Sequence, residues 1–478
     1  MTITVSSILF ASAVCLIFYN VRETLRLQLL AAASILYVFL LDRYAGWAVL
    51  ITSVFTWGTG LLISRFSKKG NDRMKNIVSV IGIAVSTVSL ILLKYVPSFA
   101  LNRFESDHFI THFLIPLGFS YYIFQTISYF ADLMSGRMHA VGNIFHLILY
   151  LSWFPRFVSG PIERTDEFIK EMNSSVSVRF AEPERWTQVI HYVVIGCFMK
   201  MVIADRLGVF VDIIFEKCDG FAAPVLLFGI LAYAFQIYFD FAGYSYVAVG
   251  ISQAFGIRLT DNFKMPYFSA NITEFWRRWH ISLSRWLRDY VYIPLGGNRR
   301  GKTRKILNTM IVFLICGAWH GTGFGFIIWG LLHGVYSAAD SILSDKGVKA
   351  VREGVIGRIL TFIGVCFAWL FFRAPSLDKA FLYLRTIQAV GLRLHSLEAE
   401  LYVLGLDRYE MLIIAASILG ILILEYTAYK RDILVPKMTA GMHAFPRYLL
   451  IFVLLASIVI FGMYGPAFDS SKMIYMQF

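Results

Sequence analysis

Charged residues are scarce in this chain. Asp, Glu, Lys and Arg make up 16% of the 478 residues, whereas hydrophobic residues make up 58%. An average soluble domain carries about 25% charged residues, and no polar stretch here is long enough to fold by itself. We therefore exclude an embedded soluble domain and predict a single all-α polytopic membrane domain over residues 1–478.

Cysteine is also scarce, and the motifs of several enzyme classes are missing. The five cysteines are scattered and mostly lie inside apolar runs, a pattern that implies neither disulfides nor a metal site. No dinucleotide fingerprint, zinc motif or nucleophile elbow occurs in the sequence. We therefore expect no metal ion and no tightly bound cofactor.

Apolar stretches, in contrast, are abundant. They recur from Ser6 to Tyr464, and some of them are short or carry polar residues. Because a membrane span needs about 20 apolar residues, we predict about eleven transmembrane helices together with re-entrant or interfacial helices. The first stretch lacks a basic leader and a clear cleavage site, so we expect it to remain as a membrane anchor.

The formal net charge is +13 at pH 7. No nucleic-acid-binding motif accompanies the basic residues, so we expect membrane lipids and not nucleic acid as their partners. Arg22 and Arg26 follow the first apolar stretch, and Lys68 and Lys69 follow the third. The positive-inside rule then places these loops in the cytoplasm and the N-terminus outside.

Residues 261–305 form the most structured polar segment. From Thr273 to Tyr290 the periodicity predicts one basic amphipathic helix. The apolar face of this helix would consist of Phe275, Trp276, Trp279, Leu283, Trp286, Leu287 and Tyr290. The basic face would consist of Arg277, Arg278, Arg285 and Arg288. A helix of this kind lies at a membrane surface, and the basic turn that follows it indicates the cytoplasmic side.

Three histidines lie in apolar surroundings. His320 lies within a run of apolar residues and glycines, where a polar group is costly and usually functional. A core histidine bonded to a neighbouring helix is the alternative. His333 lies thirteen residues after His320, also between apolar neighbours, and a role in helix packing and a role in catalysis are equally compatible with its position. His280 lies at the edge of the predicted apolar face and should point inward. His280 and His320 are far apart in sequence, so they can cooperate only through tertiary proximity.

Glycines surround His320 at positions 317, 321, 323 and 325. Because glycine has no side chain, these positions predict a close approach of backbone or ligand and an interrupted helix.

Asp240 is a carboxylate among aromatic residues. Three functional roles are open for it: orienting a histidine, pairing with an arginine, or relaying protons. The structural alternative is an ion pair that caps a helix contact. We interpret Lys200, Asp205 and Arg206 as an interfacial charge cluster.

Four sequence blocks resemble the membrane-bound O-acyltransferase (MBOAT) family. They are residues 154–162, 236–245, 275–298 and 319–321. Their order and length are most similar to the bacterial branch that includes alginate O-acetyltransferase and the D-alanyl transfer protein of teichoic acids. All four blocks lie inside a motif-bearing core that we assign to residues 102–336.

The resemblance implies a helical core with a central tunnel. It implies that His320 is catalytic and that His280 is a second active-site histidine. It also assigns binding or supporting roles to six residues at matching motif positions: Trp319, Asp240, Asp289, Arg278, Trp279 and Arg288.

The implied activity is O-acyl transfer in a bacterial cytoplasmic membrane. The donor would be a cytoplasmic thioester, acetyl-CoA or an acyl carrier protein, and His320 would be the general base. The acceptor would be a hydroxyl of an extracytoplasmic polysaccharide such as alginate, or a partner such as an SGNH-type acetyltransferase. We expect an acetyl group, with D-alanyl transfer toward teichoic acid as the alternative. A transporter of a lipid-linked sugar and a noncatalytic export scaffold are alternatives of other classes.

Overall fold

The computed structural model describes residues 5–101, 116–299, 301–345, 347–348, 354–390 and 397–464. Helix accounts for 79% of the structure, and no β-strand occurs within those residues. The prediction of an all-α protein is therefore confirmed.

Twenty α-helices follow one another in the described part of the chain. They are α1 Val5–Asn20, α2 Glu23–Leu41, α3 Arg43–Lys68, α4 Asp72–Leu101, α5 Phe119–Met134, α6 Ile144–Ser152, α7 Thr165–Ser175, α8 Pro183–Cys197, α9 Asp205–Glu216, α10 Ala223–Ala254, α11 Ile272–Arg278, α12 Ile281–Leu287, α13 Lys302–His320, α14 Phe324–Asp345, α15 Val355–Arg373, α16 Leu377–Val390, α17 Leu397–Val403, α18 Arg408–Lys430, α19 Val435–Ala440 and α20 Ala444–Phe461. Phe198–Ala204 and Arg288–Tyr292 form π-helical segments, and Cys218–Gly220 and Pro266–Phe268 form 3₁₀ turns.

Eight of the described helices are long and apolar enough to cross a membrane: α2, α3, α4, α10, α14, α15, α18 and α20. Their outer faces carry large exposed apolar side chains, such as Ile51 and Phe452, as expected of surfaces that contact lipid. The chain is therefore a multi-pass membrane protein. The number of about eleven spans stays a prediction.

The chain divides into two compact units. The first comprises Met1–Ile190 and Val247–Asp261. In this unit, the block at residues 154–162 is a buried loop. Hydrogen bonds fix the chain directly after the loop, because the Glu163 carboxylate accepts from the Thr260 amide at 2.6 Å and from the Thr260 hydroxyl at 2.9 Å. Arg26 lies on α2 and is buried, with its guanidinium donating to two backbone carbonyls.

The second unit comprises His191–Tyr246 and Asn262–Phe478. Within it, α13 and α14 form a tight hairpin because glycines meet at their crossing. A Cβ atom on Gly317 would lie 2.3 Å from the Phe326 carbonyl oxygen, and one on Gly330 would lie 2.3 Å from the Phe313 carbonyl oxygen. The helix ends at His320 and restarts at Phe324, so the predicted close approach and helix interruption are confirmed.

The prediction of one amphipathic helix from Thr273 to Tyr290 is wrong. The segment consists of α11, α12 and the π-helical segment Arg288–Tyr292, and it breaks at His280, whose φ of 42° lies in the left-handed region. The break is stabilised from outside the segment, since the Asn262 carbonyl accepts from the Ile281 amide and its side chain accepts from the Ser282 amide. This contact comes from a residue before the segment, so helical periodicity could not reveal it.

Candidate active site

His320 is the last residue of α13, and its side chain is buried, with 4% of its surface exposed. Its imidazole is enclosed by aromatic rings, whose centroids lie 4.9 Å away for Trp319, 5.1 Å for Trp329 and 5.2 Å for Phe372. The first two rings come from the helices of the glycine hairpin and the third from α15. The enclosure gives a polar ring a specific position in an otherwise apolar environment.

His280 is the N-cap of α12, and it is buried, as predicted. Its Nδ1 accepts the Leu283 amide hydrogen at 3.3 Å, which places the proton of a neutral ring on Nε2. The ring packs edge-on against Phe241 with centroids 4.7 Å apart. Burial lowers the pKa of His280 to about 3, so the imidazole is neutral at physiological pH.

Trp319 brings the two histidines into one neighbourhood. Its ring centroid lies 6.3 Å from that of His280 and 4.9 Å from that of His320. The sequence analysis required tertiary proximity before these histidines could cooperate, and the fold supplies it through this shared indole. An acyl-transfer site with two imidazoles can therefore be built around Trp319.

Trp279 belongs to the aromatic packing behind this site. It is buried, stacks on Phe275 with centroids 5.5 Å apart, and contacts Trp369 at 5.0 Å. Trp369 in turn stacks on Trp329, a neighbour of His320. Trp279 therefore supports the walls of the site through intervening rings.

Arg278 makes a different set of contacts. Its Nε lies 2.9 Å from the Glu274 carboxylate, an NH group donates to the Lys264 carbonyl, and its guanidinium lies 4.7 Å from the ring centroid of Tyr429. These contacts place Arg278, the last residue of α11, in a polar cluster with the end of α18.

Arg288 and Asp289 form an adjacent ion pair in the π-helical segment after α12. The Arg288 Nε lies 2.9 Å from Asp289 Oδ1; the carboxylate is buried, whereas 60% of the arginine side chain is exposed. Asp289 is therefore buried, while Arg288 presents positive charge to the surroundings.

Asp240 forms an ion pair with Lys200, at 2.6 Å, and Lys200 also lies 2.6 Å from Asp205. Asp240 thus forms an ion pair, with a lysine and not an arginine as this partner, and its role in catalysis stays a prediction. The fold brings the groups together because Gly243 lets α10 pack closely against the end of α8 and the π-helical segment that carries Lys200. A Cβ atom on Gly243 would lie 2.7 Å from the Gly196 carbonyl oxygen and 3.1 Å from the Lys200 amide nitrogen. Lys200 is buried, so carboxylates and not solvent surround its ammonium group, and the interfacial location of the cluster stays a prediction.

Sequence reasoning missed the rings that enclose His320 and left His333 undecided. His333 is fully buried, and its Nδ1 accepts the indole hydrogen of Trp276 at 3.2 Å. It also contacts Trp329, with centroids 4.9 Å apart. The third ring around His320, Phe372, is distant in sequence, and only the spacing of tryptophans and histidines within α13 and α14 hinted at this aromatic cluster.

Comparison with known proteins identifies relatives of this chain. The family model of the membrane-bound O-acyltransferases matches residues 136–377. The chain is 35% identical over 381 residues to the "Probable alginate O-acetylase" of Pseudomonas putida, covering 76% of this chain and 75% of that protein. It is 33% identical over 386 residues to the peptidoglycan O-acetyltransferase of Helicobacter pylori, covering 74% and 72%.

A third relative transfers a different group. The chain is 27% identical over 362 residues to the teichoic acid D-alanyltransferase of Bacillus subtilis, covering 71% of this chain and 88% of that protein. Acyltransferases thus recur among the relatives. This finding favours the hypothesis of an acyltransferase over the hypotheses of a lipid-linked sugar transporter and of a noncatalytic export scaffold. The matched region contains His280, Trp319 and His320, and the chain accordingly belongs to the membrane-bound O-acyltransferase family and is an O-acyltransferase.

Proposed function

We propose that this protein moves an acetyl group from a cytoplasmic thioester toward a hydroxyl on the far side of the bacterial cytoplasmic membrane, with His320 as the general base. The observation that carries the proposal is the placement of two buried imidazoles, His280 and His320, against one indole. A buried ionisable ring in a membrane enzyme has a functional role more often than a structural one.

The chemistry assigned to His320 addresses the weak nucleophilicity of an alcohol. The neutral imidazole accepts the hydroxyl proton while the oxygen attacks the thioester carbonyl carbon. The carbon–sulfur bond then breaks, and the departing thiolate takes up the proton that the imidazole holds. General base catalysis of this kind contributes about 10²- to 10⁴-fold to the rate.

The aromatic enclosure contributes by excluding water. Trp329 and Phe372 contact the His320 ring in T-shaped geometry, so fewer water molecules compete with the acceptor for the thioester. His280 is assigned a supporting role on the donor side. Its proton on Nε2 makes it a hydrogen-bond donor toward a carbonyl or sulfur atom of the donor.

The donor is proposed to be acetyl-CoA or an acyl carrier protein. Both carry phosphate or carboxylate groups, and the exposed residues Arg277 and Arg288 supply matching positive charge beside the His280 segment. This assignment agrees with a cytoplasmic location of residues 261–305 and an outside N-terminus. The acceptor would reach His320 through a tunnel from the other side.

Acetyl is preferred because the relatives above 30% identity include O-acetylases of alginate and peptidoglycan. The acceptor is then a polysaccharide hydroxyl, or an SGNH-type transferase that passes the acetyl group on. D-alanyl transfer toward teichoic acid is the second candidate, favoured by the D-alanyltransferase relative.

The test is replacement of His320 in the full-length protein. We expect His320→Gln, which keeps a polar side chain of similar size, to lower acetyl transfer by about 10²-fold or more, with unchanged protein levels. His139→Gln is the matched control, because His139 is an exposed histidine. Wild-type transfer by His320→Gln at equal protein levels would refute the proposed base.

The two acyl groups are distinguished with purified protein in lipid vesicles. Acetyl-CoA or a D-alanyl carrier protein is added outside vesicles that enclose the hydroxyl acceptor and in which the His280 side faces outward, and release of the free thiol is measured against vesicles without acceptor. Thiol release from acetyl-CoA supports acetyl transfer, whereas release from the D-alanyl carrier alone supports the second candidate.

A further inference from the structure

An apolar cavity of about 450 Å³ lies in the second unit. Phe235 of α10, Phe268 of the 3₁₀ turn, Phe362 of α15, and Leu422 and Tyr426 of α18 are among the residues that line it. This volume falls within the range of small-molecule sites in proteins, and the lining favours a hydrocarbon occupant.

The cavity lies beside surfaces that face lipid. α10, α15 and α18 are all candidate membrane spans. Two lining residues of α18 are widely exposed, Ile423 by 58% and Tyr426 by 52%. A hydrocarbon chain in the surrounding bilayer can therefore contact the lining.

One end of the cavity is cationic. Arg358 lies one helical turn before Phe362 on α15, and Lys430 lies one turn after Tyr426 on α18. The Lys430 Nζ lies 5.4 Å from the Tyr426 ring centroid, and the Arg358 guanidinium lies 5.9 Å from that of Tyr429. Both cations thus sit beside tyrosines at the same end of α18.

Aromatic contacts connect these cations to the cavity wall. The Tyr429 ring lies 5.6 Å from Phe268, and the Tyr426 ring lies 6.0 Å from it. Arg278 joins the group through its contact with Tyr429 at 4.7 Å. Positive charge is therefore concentrated next to the apolar interior.

Two carboxylates compensate only part of this charge. Glu274 pairs with Arg278. Asp432 pairs with Lys264, a further cation whose backbone carbonyl accepts a hydrogen bond from Arg278. Within the described residues, no carboxylate pairs with Arg358 or Lys430, and the buried Nε of Arg358 has no hydrogen-bond partner there. The cavity end consequently carries a surplus of positive charge that an anion would satisfy.

We propose that this cavity binds an anionic phospholipid, with an acyl chain against Phe235, Phe362 and Leu422 and the phosphate at Arg358 and Lys430. Basic pockets between transmembrane helices on the cytoplasmic side are suited to anionic headgroups. Arg278 and Lys264 belong to the segment predicted to be cytoplasmic, which agrees with this location. The proposal does not depend on the acyl-transfer chemistry of His320.

Charge complementarity also predicts selectivity between lipids. Phosphatidylglycerol carries a net negative charge, whereas phosphatidylcholine adds a quaternary amine that the surplus cations repel. Each Lys or Arg near an anionic headgroup contributes on the order of fivefold in affinity, so removing Arg358 and Lys430 together should weaken binding roughly thirtyfold.

The experiment titrates the detergent-purified full-length protein with dioleoylphosphatidylglycerol or dioleoylphosphatidylcholine and counts bound lipid by native mass spectrometry. The test variant is Arg358→Gln combined with Lys430→Gln. The matched control is Arg385→Gln, which removes an exposed cation on α16. Thr427→Trp places an indole against the cavity, and thermal unfolding checks that every variant is folded.

We expect phosphatidylglycerol to bind more tightly than phosphatidylcholine, to lose about thirtyfold in affinity in the double variant, and to lose affinity in Thr427→Trp, with Arg385→Gln unchanged. Equal binding of both lipids, or equal binding by the folded double variant, would overturn the proposal. Displacement of bound phosphatidylglycerol by glycerol phosphate would assign the cations to a free anion, and displacement by acetyl-CoA would assign the cavity to the donor. Either displacement would overturn the lipid assignment.

Discussion

The imidazole of His280 lies 6.3 Å from the indole of Trp319, with the two ring planes inclined by 77°. His320 contacts the same indole at 4.9 Å. One tryptophan side chain thus contacts both histidines, and we expect the site to depend on the shape of this ring.

Trp319→Phe and Trp319→Ala should separate packing from chemistry. The alanine variant removes a buried indole and should lose about 3–5 kcal/mol of unfolding free energy, together with acetyl transfer. The phenylalanine variant keeps an aromatic ring between His280 and His320, so it should retain most of the stability and more activity than alanine. Thermal unfolding in detergent and transfer assays measure both quantities. Equal activity of the two variants would contradict a positioning role.

His280→Asn tests the backbone role and the chemical role of His280 separately. Asparagine tolerates the left-handed conformation and is a good N-cap, so α12 should remain folded. The imidazole is lost, however, and we expect acetyl transfer to fall at least tenfold at normal protein levels. His280→Ala is the comparison, since loss of the cap costs about 1 kcal/mol. Full activity of His280→Asn would restrict His280 to capping.

The stability of the wild-type protein should fall in mild acid. Folding lowers the pKa of His280 from 6.5 to about 3 through burial. Between these two pH values the unfolded chain binds a proton at His280 that the folded chain does not bind. The free energy of unfolding is therefore unaffected by His280 above about pH 6.5 and decreases as the pH falls toward 3. His280 should account for about 2 kcal/mol of unfolding free energy lost between pH 7 and pH 5.

Denaturant unfolding at the two pH values measures this loss, with His280→Asn as the reference. The asparagine variant should lose less stability over the same interval, because its side chain does not titrate. An identical loss in both proteins would show that other groups cause the pH dependence.

The glycine crossing of α13 and α14 should tolerate no side chain. A Cβ on Gly317 would lie 2.3 Å from a backbone oxygen, whereas one on Gly323 would have its nearest contact at 3.7 Å. Gly317→Ala should therefore lower the unfolding free energy by about 1–3 kcal/mol and reduce transfer by shifting His320. Gly323→Ala is the control and should change stability little. Similar melting temperatures for the two variants would argue against a tight crossing.

Neutralising one partner of the Lys200–Asp240 ion pair should lower the free energy of unfolding more than replacing the charged residues together with uncharged ones. Asp240→Asn leaves Lys200 with only Asp205 as a charged partner and should cost about 3–5 kcal/mol. The combined change Lys200→Met, Asp205→Asn and Asp240→Leu leaves no unpaired charge and should recover part of this loss. Unfolding of the single and combined variants measures the coupling. A combined variant with the summed loss of the single variants would contradict it.

The helical class and the membrane character of this protein followed from local sequence patterns. Apolar stretches long enough to span a bilayer indicate helices wherever they occur, because every backbone group in hydrocarbon must be hydrogen-bonded within its own segment. The glycines beside His320 predicted the helix break for the same local reason: without a side chain they permit backbone to approach backbone.

The amphipathic segment shows where local patterns fail. Helical periodicity from Thr273 to Tyr290 suits one helix, but Asn262 satisfies the backbone amides at a break, and His280 takes a left-handed conformation there. The Lys200 cluster shows the same limit: Asp205 lies close to Lys200 in sequence, but Asp240 reaches Lys200 only after α10 packs on the π-helical segment.

Sequence alone therefore established that this chain is a helical membrane protein with a histidine worth testing, since hydrophobicity and residue spacing act within one segment. The meeting of His280 and His320 at Trp319, and the enclosure of His320 by Phe372 and Trp329, arose only in the folded chain. Those contacts join residues on separate helices, and the close packing that creates them is a property of surfaces in three dimensions, which no linear spacing encodes.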